Sequence, residues 1–293
     1  MSSCGASRAI HCIARRGWRG PISFRISILA SGSSGNATLL ETERTCLLVD
    51  AGLGRKETFR RLAALNKNPD RVDAILISHE HTDHSSGLPQ LLRHFRATAY
   101  LTEGTFAEIL RFLPETSAKK LERVEHICAG EKFTIGDIEV SPFSIPHDAA
   151  DPVGYTFRTN GTKVAIVTDL GYLPRHVKVH LREADCLILE SNHDLEKLKF
   201  GPYPWHVKQR VMARKGHLSN QSVSEYLGDA EGVDGFDGRA KYLVLAHVSE
   251  INNDPSLVHL FATEALNRRP AESAFHGELL IASQHTPLGP LNL

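Results

Sequence analysis

A short loop of the sequence is dense in side chains that bind metal ions. His79, His81, Asp83 and His84 occupy four of six consecutive positions, directly after residues 74–78 (AILIS), which are typical of a buried strand. Imidazole suits zinc and similar cations, and a carboxylate adds an oxygen ligand with a negative charge. The H-E-x-x-H motif of helical zinc sites is excluded, because its second His would fall at position 83. The spacing therefore indicates a loop that serves two adjacent divalent ions, and the alternative is a solvated His-rich loop.

Three further candidate ligands also come directly after strand-like segments. His147 follows a predicted hairpin at residues 132–145, Asp169 follows VAIVT, and His247 follows YLVLA. Open α/β sheets gather ligands at the carboxyl ends of their strands, so these residues should meet the His-rich loop at one sheet edge. A plausible division is His79, His81 and His147 on one ion, Asp83, His84 and His247 on the other, and Asp169 bridging them. Two such ions would hold a shared hydroxide and clamp the attacking and leaving oxygens of an ester.

Two segments near the start of the chain could support this site. Asp50 ends the strand-like LLVD and could accept the free N–H of a metal-bound imidazole, although a turn Asp is the alternative. Residues 31–36 (SGSSGN) could present backbone N–H groups and hydroxyls to a phosphate, with a flexible hairpin turn as the alternative. The candidate substrate contacts of this loop are Ser31, Ser33, Ser34 and Asn36.

The rest of the sequence predicts a single α/β domain over residues 22–293. Strand-like and amphipathic helical stretches are interspersed, Asn160-Gly161 is the strongest hairpin indication, and Asp254-Pro255 is typical of a helix start. The 34 basic residues balance the 34 acidic ones, so global charge indicates neither a nucleic acid nor a membrane partner. No apolar run is long enough to span a bilayer, so we expect no membrane insertion.

Two features of the sequence indicate the cellular compartment of the protein, namely residues 1–21 and the cysteines. The first 21 residues contain four arginines, and no acidic residue occurs before Glu41, so we interpret them as a disordered basic tail or the product of an upstream start codon. An organellar transit peptide is the alternative. The five cysteines are odd in number, widely spaced and without a C-x-x-C pair, which favours a reducing compartment. We therefore expect a cytoplasmic protein.

The ligand pattern resembles that of the metallo-β-lactamase superfamily of binuclear hydrolases. The H-x-H-x-D-H signature, the later His147, Asp169 and His247 match the superfamily in order and spacing, and the resemblance spans nearly all of residues 22–282. It implies a four-layer αββα sandwich with two divalent metal ions at one edge of its two sheets. Zinc is the expected metal and manganese the alternative, because this mixture of His and Asp suits both.

Finer features resemble the YycJ/WalJ-like branch of that superfamily. They are SGSSGN, PHDA at 146–149, ESNHD at 190–194, GHLSN at 216–220 and HVS at 247–249. Members of the branch are associated with 5'-to-3' exonuclease activity on double-stranded DNA, linked to repair, so the resemblance implies double-stranded DNA as the partner. In phosphodiesterase relatives a Glu and a later His help to protonate the leaving alkoxide, and Glu190 and His217 occupy the matching places. The implied catalytic residues are thus Asp83, Glu190 and His217, whereas His193 either contacts substrate or satisfies a turn.

A basic segment leads directly into His217. Residues 197–215 contain six basic residues, no acidic one and three interleaved aromatic residues, and Lys208 and Arg210 are candidate nucleic-acid contacts. The alternative is a solvated helix face with a packed aromatic cluster.

Several other functions use similar ligands. A thioester hydrolase of the glyoxalase II kind has ligands of the same types, and a ribonuclease or a nucleic-acid-binding module without catalysis are further alternatives. The SGSSGN loop, the Glu190 and His217 pair and the basic segment favour the nuclease, because a small thioester requires none of them. Only 21 residues separate His147 from Asp169, which argues against a protruding tRNA-binding arm. Only 77 separate Asp169 from His247, which argues against an additional nuclease domain.

Overall fold

Two seven-stranded sheets form the centre of the structure, a computed structural model that describes residues 24–293 except 69, 119–120 and 230–234. The first sheet has the spatial order β14 (Leu288–Asn292), β1 (Arg25–Ala30), β2 (Ala37–Glu41), β3 (Cys46–Val49), β4 (Ala74–Leu76), β5 (Thr98–Leu101), β6 (Val124–His126). The second has the order β13 (Glu278–Ile281), β12 (Tyr242–Ala246), β11 (Cys186–Glu190), β10 (Thr162–Val167), β9 (Val153–Thr159), β8 (Ile138–Ser144), β7 (Phe133–Ile135). The predicted tail at residues 1–21 lies outside the described residues.

Helices connect the strands. They are α1 (Arg55–Ala64), α2 (Thr82–Ser85), α3 (Leu88–Phe95), α4 (Glu103–Phe112), α5 (Glu115–Ala118), α6 (Arg175–Leu181), α7 (Leu195–Phe200), α8 (Trp205–Val211), α9 (Asn220–Gly228), α10 (Pro255–Asn267) and a 3-10 turn at Ala271–Ser273. The predicted helix start at Asp254 is confirmed, because its side chain accepts a hydrogen bond from the backbone N–H of Ser256. In the residues described, no helix combines the length and the apolar composition needed to cross a bilayer.

Side-chain alternation along the strands builds three apolar layers. In β3, Leu47 and Val49 pack between the sheets, whereas Leu48 faces the helices that cover the first sheet. In β11, Ile188 packs between the sheets, whereas Leu189 faces the helices that cover the second sheet. Because each strand contributes to a layer on either side, the order of layers is helix, sheet, sheet, helix. The predicted αββα sandwich is confirmed.

Parallel strands bring the candidate ligands to one edge. Strands β3 to β6 are parallel to one another, and so are β10 to β13. Asp50 directly follows β3, His247 directly follows β12, and Asp169 is the second residue after β10. Their φ angles are +63°, +53° and +62°. This left-handed conformation is costly for residues other than Gly and is found where a surrounding site imposes it. Here it turns the chain abruptly at the end of each strand.

The sequence did not predict several elements, among them α5, α6, α7, β6 and β14. Residues 191–215 predict a helix only after Pro204, whereas α7 precedes that point and begins where the Asp194 side chain accepts a hydrogen bond from Lys197 N. The last strand that the sequence predicts is residues 278–282, whereas β14 lies beyond it and pairs antiparallel with β1. Cys46 and Cys186 are buried free thiols that pack in the core as small apolar residues do. Burial raises the pKa of both thiols.

The layer between the sheets can be tested at Phe157, which is fully buried in β9. Phe157→Ala should lower the free energy of unfolding by about 3–5 kcal/mol, because it leaves a large cavity. Phe112→Ala, at a side chain that is 78% exposed, should change it by less than about 0.5 kcal/mol. Urea unfolding followed by circular dichroism measures both, and equal effects would contradict the assigned layers.

Candidate metal centre

Three histidines form the first group of donor atoms. His79 Nε2 lies 3.1 Å from His81 Nδ1, and His147 Nε2 lies 3.2 Å from the same atom. The three residues come from the loop after β4 and from the loop after β8, so the sheets supply them from opposite sides. A tetrahedral zinc ion with Zn–N bonds of about 2.0–2.1 Å keeps its ligand atoms about 3.3 Å apart. The spacing of the three nitrogens therefore fits one divalent cation.

A second group of donor atoms adjoins the first and combines two carboxylates with two imidazoles. His84 Nε2 lies 3.4 Å from Asp83 Oδ2 and 3.2 Å from Asp169 Oδ2. His247 Nε2 lies 3.3 Å from Asp83 Oδ2 and 3.5 Å from Asp169 Oδ1. Although Asp169 Oδ2 is buried, no hydrogen bond of acceptable geometry reaches it among the described residues. Such a carboxylate oxygen is costly to bury unless it binds a cation, so this group also fits a divalent ion.

In three of these histidines, the ring nitrogen that points away from the metal-binding groups lies against an oxygen of the protein. Asp50 Oδ2 lies 2.8 Å from His84 Nδ1, and His147 Nδ1 donates to the Gly216 carbonyl over 3.3 Å. His247 Nδ1 donates to Glu190 Oε1 over 3.0 Å. Metal-binding imidazoles generally donate their other N–H to such groups, which fixes the ring and its tautomer. Asp50 thus occupies the supporting place expected from the sequence.

The backbone of the SGSSGN loop holds the Asp83 segment. Asn36 N donates to the Asp83 carbonyl over 2.7 Å, and the Asn36 amide nitrogen lies 3.3 Å from Asp83 Oδ2. Gly52 allows this approach, because a Cβ at that position would lie 1.7 Å from the Asp83 carbonyl oxygen. Ser31 Oγ accepts a hydrogen bond from His247 N over 2.8 Å. The loop therefore connects the two sheets at the site.

The expected phosphate-binding role of this loop is only partly compatible with the structure. The backbone N–H groups of residues 31, 32, 34, 35 and 36 each donate to a protein acceptor, so they do not form an open nest. Ser31 and Asn36 are buried and support His247 and Asp83, which corrects their assignment as substrate contacts. Ser33 and Ser34 are exposed and remain candidates.

Glu190 has a different role from the one expected. Its side chain is 0% exposed, and its two oxygens accept from His217 Nδ1, His247 Nδ1 and the backbone N–H groups of residues 170 and 218. A carboxylate so enclosed has no surface with which to touch a substrate. It is a positioning residue for His217 and His247 rather than a catalytic one. His217 keeps 20% of its side chain exposed and can reach a substrate through its other nitrogen.

The carboxylates and histidines of the site shift one another's pKa values. Burial alone would lower the pKa of His84, but three surrounding carboxylates raise it well above its usual value. The pKa of His247 is raised in the same way, against burial and chiefly by Asp169. Burial would raise the pKa of Asp169, yet His247 and His84 hold it well below its usual range. These protons stand where a bound cation would neutralise the carboxylates.

The other three residues predicted to contact substrate differ in how far they are exposed. Burial lowers the pKa of His193 to about 4, and its Nδ1 has no hydrogen-bond partner in the described residues. This residue is buried beneath the site, so it does not present an exposed ring to substrate. Lys208 Nζ donates to the carbonyls of Lys199 and Gly201, which corrects its assignment to nucleic acid. Arg210 is exposed, and its Nε donates to Asp148 Oδ2 over 2.5 Å.

Several supporting residues were not found from the sequence, among them Asn192 and Gln284. Asn192 Nδ2 donates to the His247 carbonyl over 2.9 Å, and the only indication was its place in the ESNHD block. Gln284 Oε1 accepts from Ser34 N, and its amide nitrogen donates to Gly35 O. Gln284 lies 250 positions from Ser34, and nothing in its local sequence indicated this contact.

An αββα sandwich with these donor groups at one sheet edge defines a metal-dependent hydrolase of the metallo-β-lactamase type. Residues 45–247 match the family model described as β-lactamase superfamily domain. The chain is 38% identical over 241 residues to exodeoxyribonuclease WalJ of Streptococcus pneumoniae, covering 82% of this chain and 87% of that protein. It is 35% identical over 250 residues to exodeoxyribonuclease YycJ of Bacillus anthracis, covering 85% and 91%. The chain therefore belongs to the β-lactamase superfamily, within the family that contains WalJ and YycJ.

Solved structures agree with this fold. The metallo-β-lactamase fold protein YhfI of Bacillus subtilis superposes with a TM-score of 0.64 at 15% identity, covering 91% of this chain and 99% of that one. At this identity the likeness concerns the fold alone.

Metal binding can be tested by thermal stability. Adding Zn²⁺ or Mn²⁺ to chelator-treated protein should raise Tm by about 5 °C at a hundredfold excess over Kd, because the ion binds only the folded state. Asp169→Asn keeps the size and tolerates the left-handed backbone but removes the charge, so it should reduce the shift severalfold. Asp70→Asn, at an exposed carboxylate, is the control. A full shift in Asp169→Asn would contradict the assigned donor group.

Proposed function

We propose that the protein is a metal-dependent exonuclease that degrades double-stranded DNA from the 5' end. The names of its relatives WalJ and YycJ support DNA as substrate. The single observation that carries the chemistry is the spacing of donor atoms, 3.1–3.2 Å in one group and 3.2–3.5 Å in the adjoining one. Adjacent groups with this spacing suit two divalent ions, which is the arrangement used for displacement at phosphate esters.

The donor types bear on the choice of metal. His79, His81 and His147 offer only nitrogen, whereas Asp83, His84, Asp169 and His247 offer both nitrogen and oxygen. We propose zinc as the resident metal, because nitrogen-rich tetrahedral groups suit it, with manganese as the alternative at the oxygen-bearing group. Bound ions would supply charge to polarise the phosphate and to activate water.

The protein's own side chains would then orient the reactants and move a proton. Asp83 lies between His84 and His247, with 19% of its side chain exposed, so it can orient the attacking water. His217 Nδ1 is held by Glu190 over 2.8 Å, which leaves Nε2 to donate a proton to the departing sugar oxygen. Because Glu190 is anionic and buried beside it, the pKa of His217 is raised despite its burial, which favours the protonated form that a general acid requires.

The alternatives remain a ribonuclease and a thioester hydrolase of the glyoxalase II kind. A small thioester would not require the exposed basic residues 197, 199 and 215 in the segment that leads into His217, whereas either nucleic acid could use them. A role in DNA repair and a cytoplasmic location stay predictions of the sequence.

Activity on labelled substrates tests the proposal. The metal-loaded protein should release a 5' label from duplex DNA at once as a mononucleotide, whereas a 3' label should pass through progressively shorter fragments. Asp83→Ala should abolish turnover while circular dichroism shows a largely intact fold, and Asp70→Asn should keep full activity. Degradation of RNA but not DNA, hydrolysis of an acyl-glutathione thioester alone, or activity retained in Asp83→Ala would contradict the proposal.

A second measurement separates proton transfer from metal binding at His217. His217→Ala should lower kcat by about 10²–10⁴, the range for loss of a general acid, while the metal content per chain stays unchanged. His259→Ala, at an exposed His on α10, should leave both quantities unchanged. If His217→Ala loses metal together with activity, the residue is a ligand and the proposed proton transfer is wrong.

A further inference from the structure

The α7–α8 hairpin, residues 195–211, exposes two aromatic side chains. Phe200, the last residue of α7, is 74% exposed, and Trp205, the first residue of α8, is 62% exposed. Leu195, the first residue of the hairpin, and Met212, directly after its last residue, are exposed as well. Large apolar side chains that are exposed within one short segment are candidates for a site of interaction. These residues are therefore considered as a binding surface.

Hydrogen bonds join the backbone segments that carry the two aromatic side chains. Lys208 Nζ donates to the carbonyls of Lys199 and Gly201 over 2.9 and 2.8 Å, which ties α8 to the end of α7. Gly201 packs closely there, because a Cβ would lie 2.5 Å from the Lys197 carbonyl oxygen. A fixed aromatic surface loses little freedom when a ligand stacks on it.

The same hairpin leads into the metal centre. Val211 O at the end of α8 accepts a hydrogen bond from His217 N over 2.9 Å. Gly216 O accepts from His147 Nδ1, and Arg210 Nε donates to Asp148, the neighbour of His147. The aromatic surface therefore lies on the segment that forms one rim of the metal centre.

The charge around the aromatic side chains is mainly positive, with Glu196 as the one acidic residue of the hairpin. Residues 197–215 include six basic residues and no acidic one, and Lys197, Lys199 and Lys215 are exposed. Lys199 Nζ lies 5.1 Å from the centre of the Phe200 ring. Flat aromatic faces among cations match a ligand that carries both bases and phosphates, and bases can stack in this way only where they are unpaired.

We propose that Trp205 and Phe200 stack the unpaired bases of the DNA strand that enters the metal centre. This inference rests on the proposed exonuclease function and deepens it. A paired duplex hides the faces of its bases except at its end, so the surface would act at an opened terminus. By stacking the released bases it would favour separation of the strand to be cut from its complement.

Tryptophan fluorescence tests this inference directly. The chain has two tryptophans, Trp18 and Trp205, so Trp18→Phe leaves Trp205 as the single reporter. Metal-loaded Trp18→Phe protein is titrated with single-stranded phosphorothioate oligonucleotides, which resist cleavage, and with abasic oligonucleotides of equal length. Stacking should quench Trp205 with the base-containing strand and much less with the abasic strand.

Substitutions supply the quantitative part of the test. Trp205→Ala should weaken binding of the base-containing strand roughly 5- to 100-fold and leave binding of the abasic strand within about twofold. Trp205→Phe should retain most of the affinity, because it keeps an aromatic face. Phe112→Ala, which removes an aromatic side chain from α4 that is 78% exposed, should change neither affinity. Equal quenching by both strands, or an equal effect of Trp205→Ala on both, would overturn the inference.

The inference and the proposed function fail in different ways. If the protein cleaves no DNA but Trp205 is quenched only by base-containing strands, the stacking surface stands and the exonuclease proposal is wrong. If the protein degrades DNA normally and Trp205→Ala leaves the affinity for single strands unchanged, the exonuclease proposal stands and the stacking surface is wrong.

Discussion

The burial of carboxylates and imidazoles at one sheet edge is the constraint on which the rest of the site depends. Asp169 is almost completely buried, lies against His84 and His247, and has one oxygen without a hydrogen-bond donor. Burying such a charge is unfavourable unless an opposite charge compensates it. Protons on the histidines can compensate it in part, and a divalent cation at the same place would do so more fully. Most of the surrounding architecture serves to hold these opposed charges together.

The two sheets and the loops between them share that task. Residues in the left-handed conformation come at the ends of three strands: Asp50 and His247 directly follow β3 and β12, and Asp169 is the second residue after β10. Glu190 then links the second sheet to the site by accepting hydrogen bonds from both His217 and His247. The reactive and the supporting residues are thus separated by burial: His217 retains exposure, whereas Glu190 has none. Chemistry at the surface of the site depends on a layer of buried polar contacts beneath it.

The fold and the candidate metal ligands could be predicted because short stretches of sequence indicate both. A buried strand followed at once by His or Asp is visible in a few residues, as at His79 and His247, and strand periodicity orders the layers. The hydrogen bonds of the other polar residues could not be predicted, because their partners lie elsewhere in the sequence. Lys208 binds carbonyls of the preceding helix, and Gln284 supplies acceptors and donors to the SGSSGN loop from the far end of the chain. Composition could not distinguish those buried contacts from free charges and free amides.

Anomalous X-ray scattering from crystals of the zinc-loaded protein tests the central claim most directly. The account predicts two peaks at the absorption edge, one among His79, His81 and His147 and one among Asp83, His84, Asp169 and His247. A map without peaks at these two groups, or with its peaks bound by other residues, would contradict it.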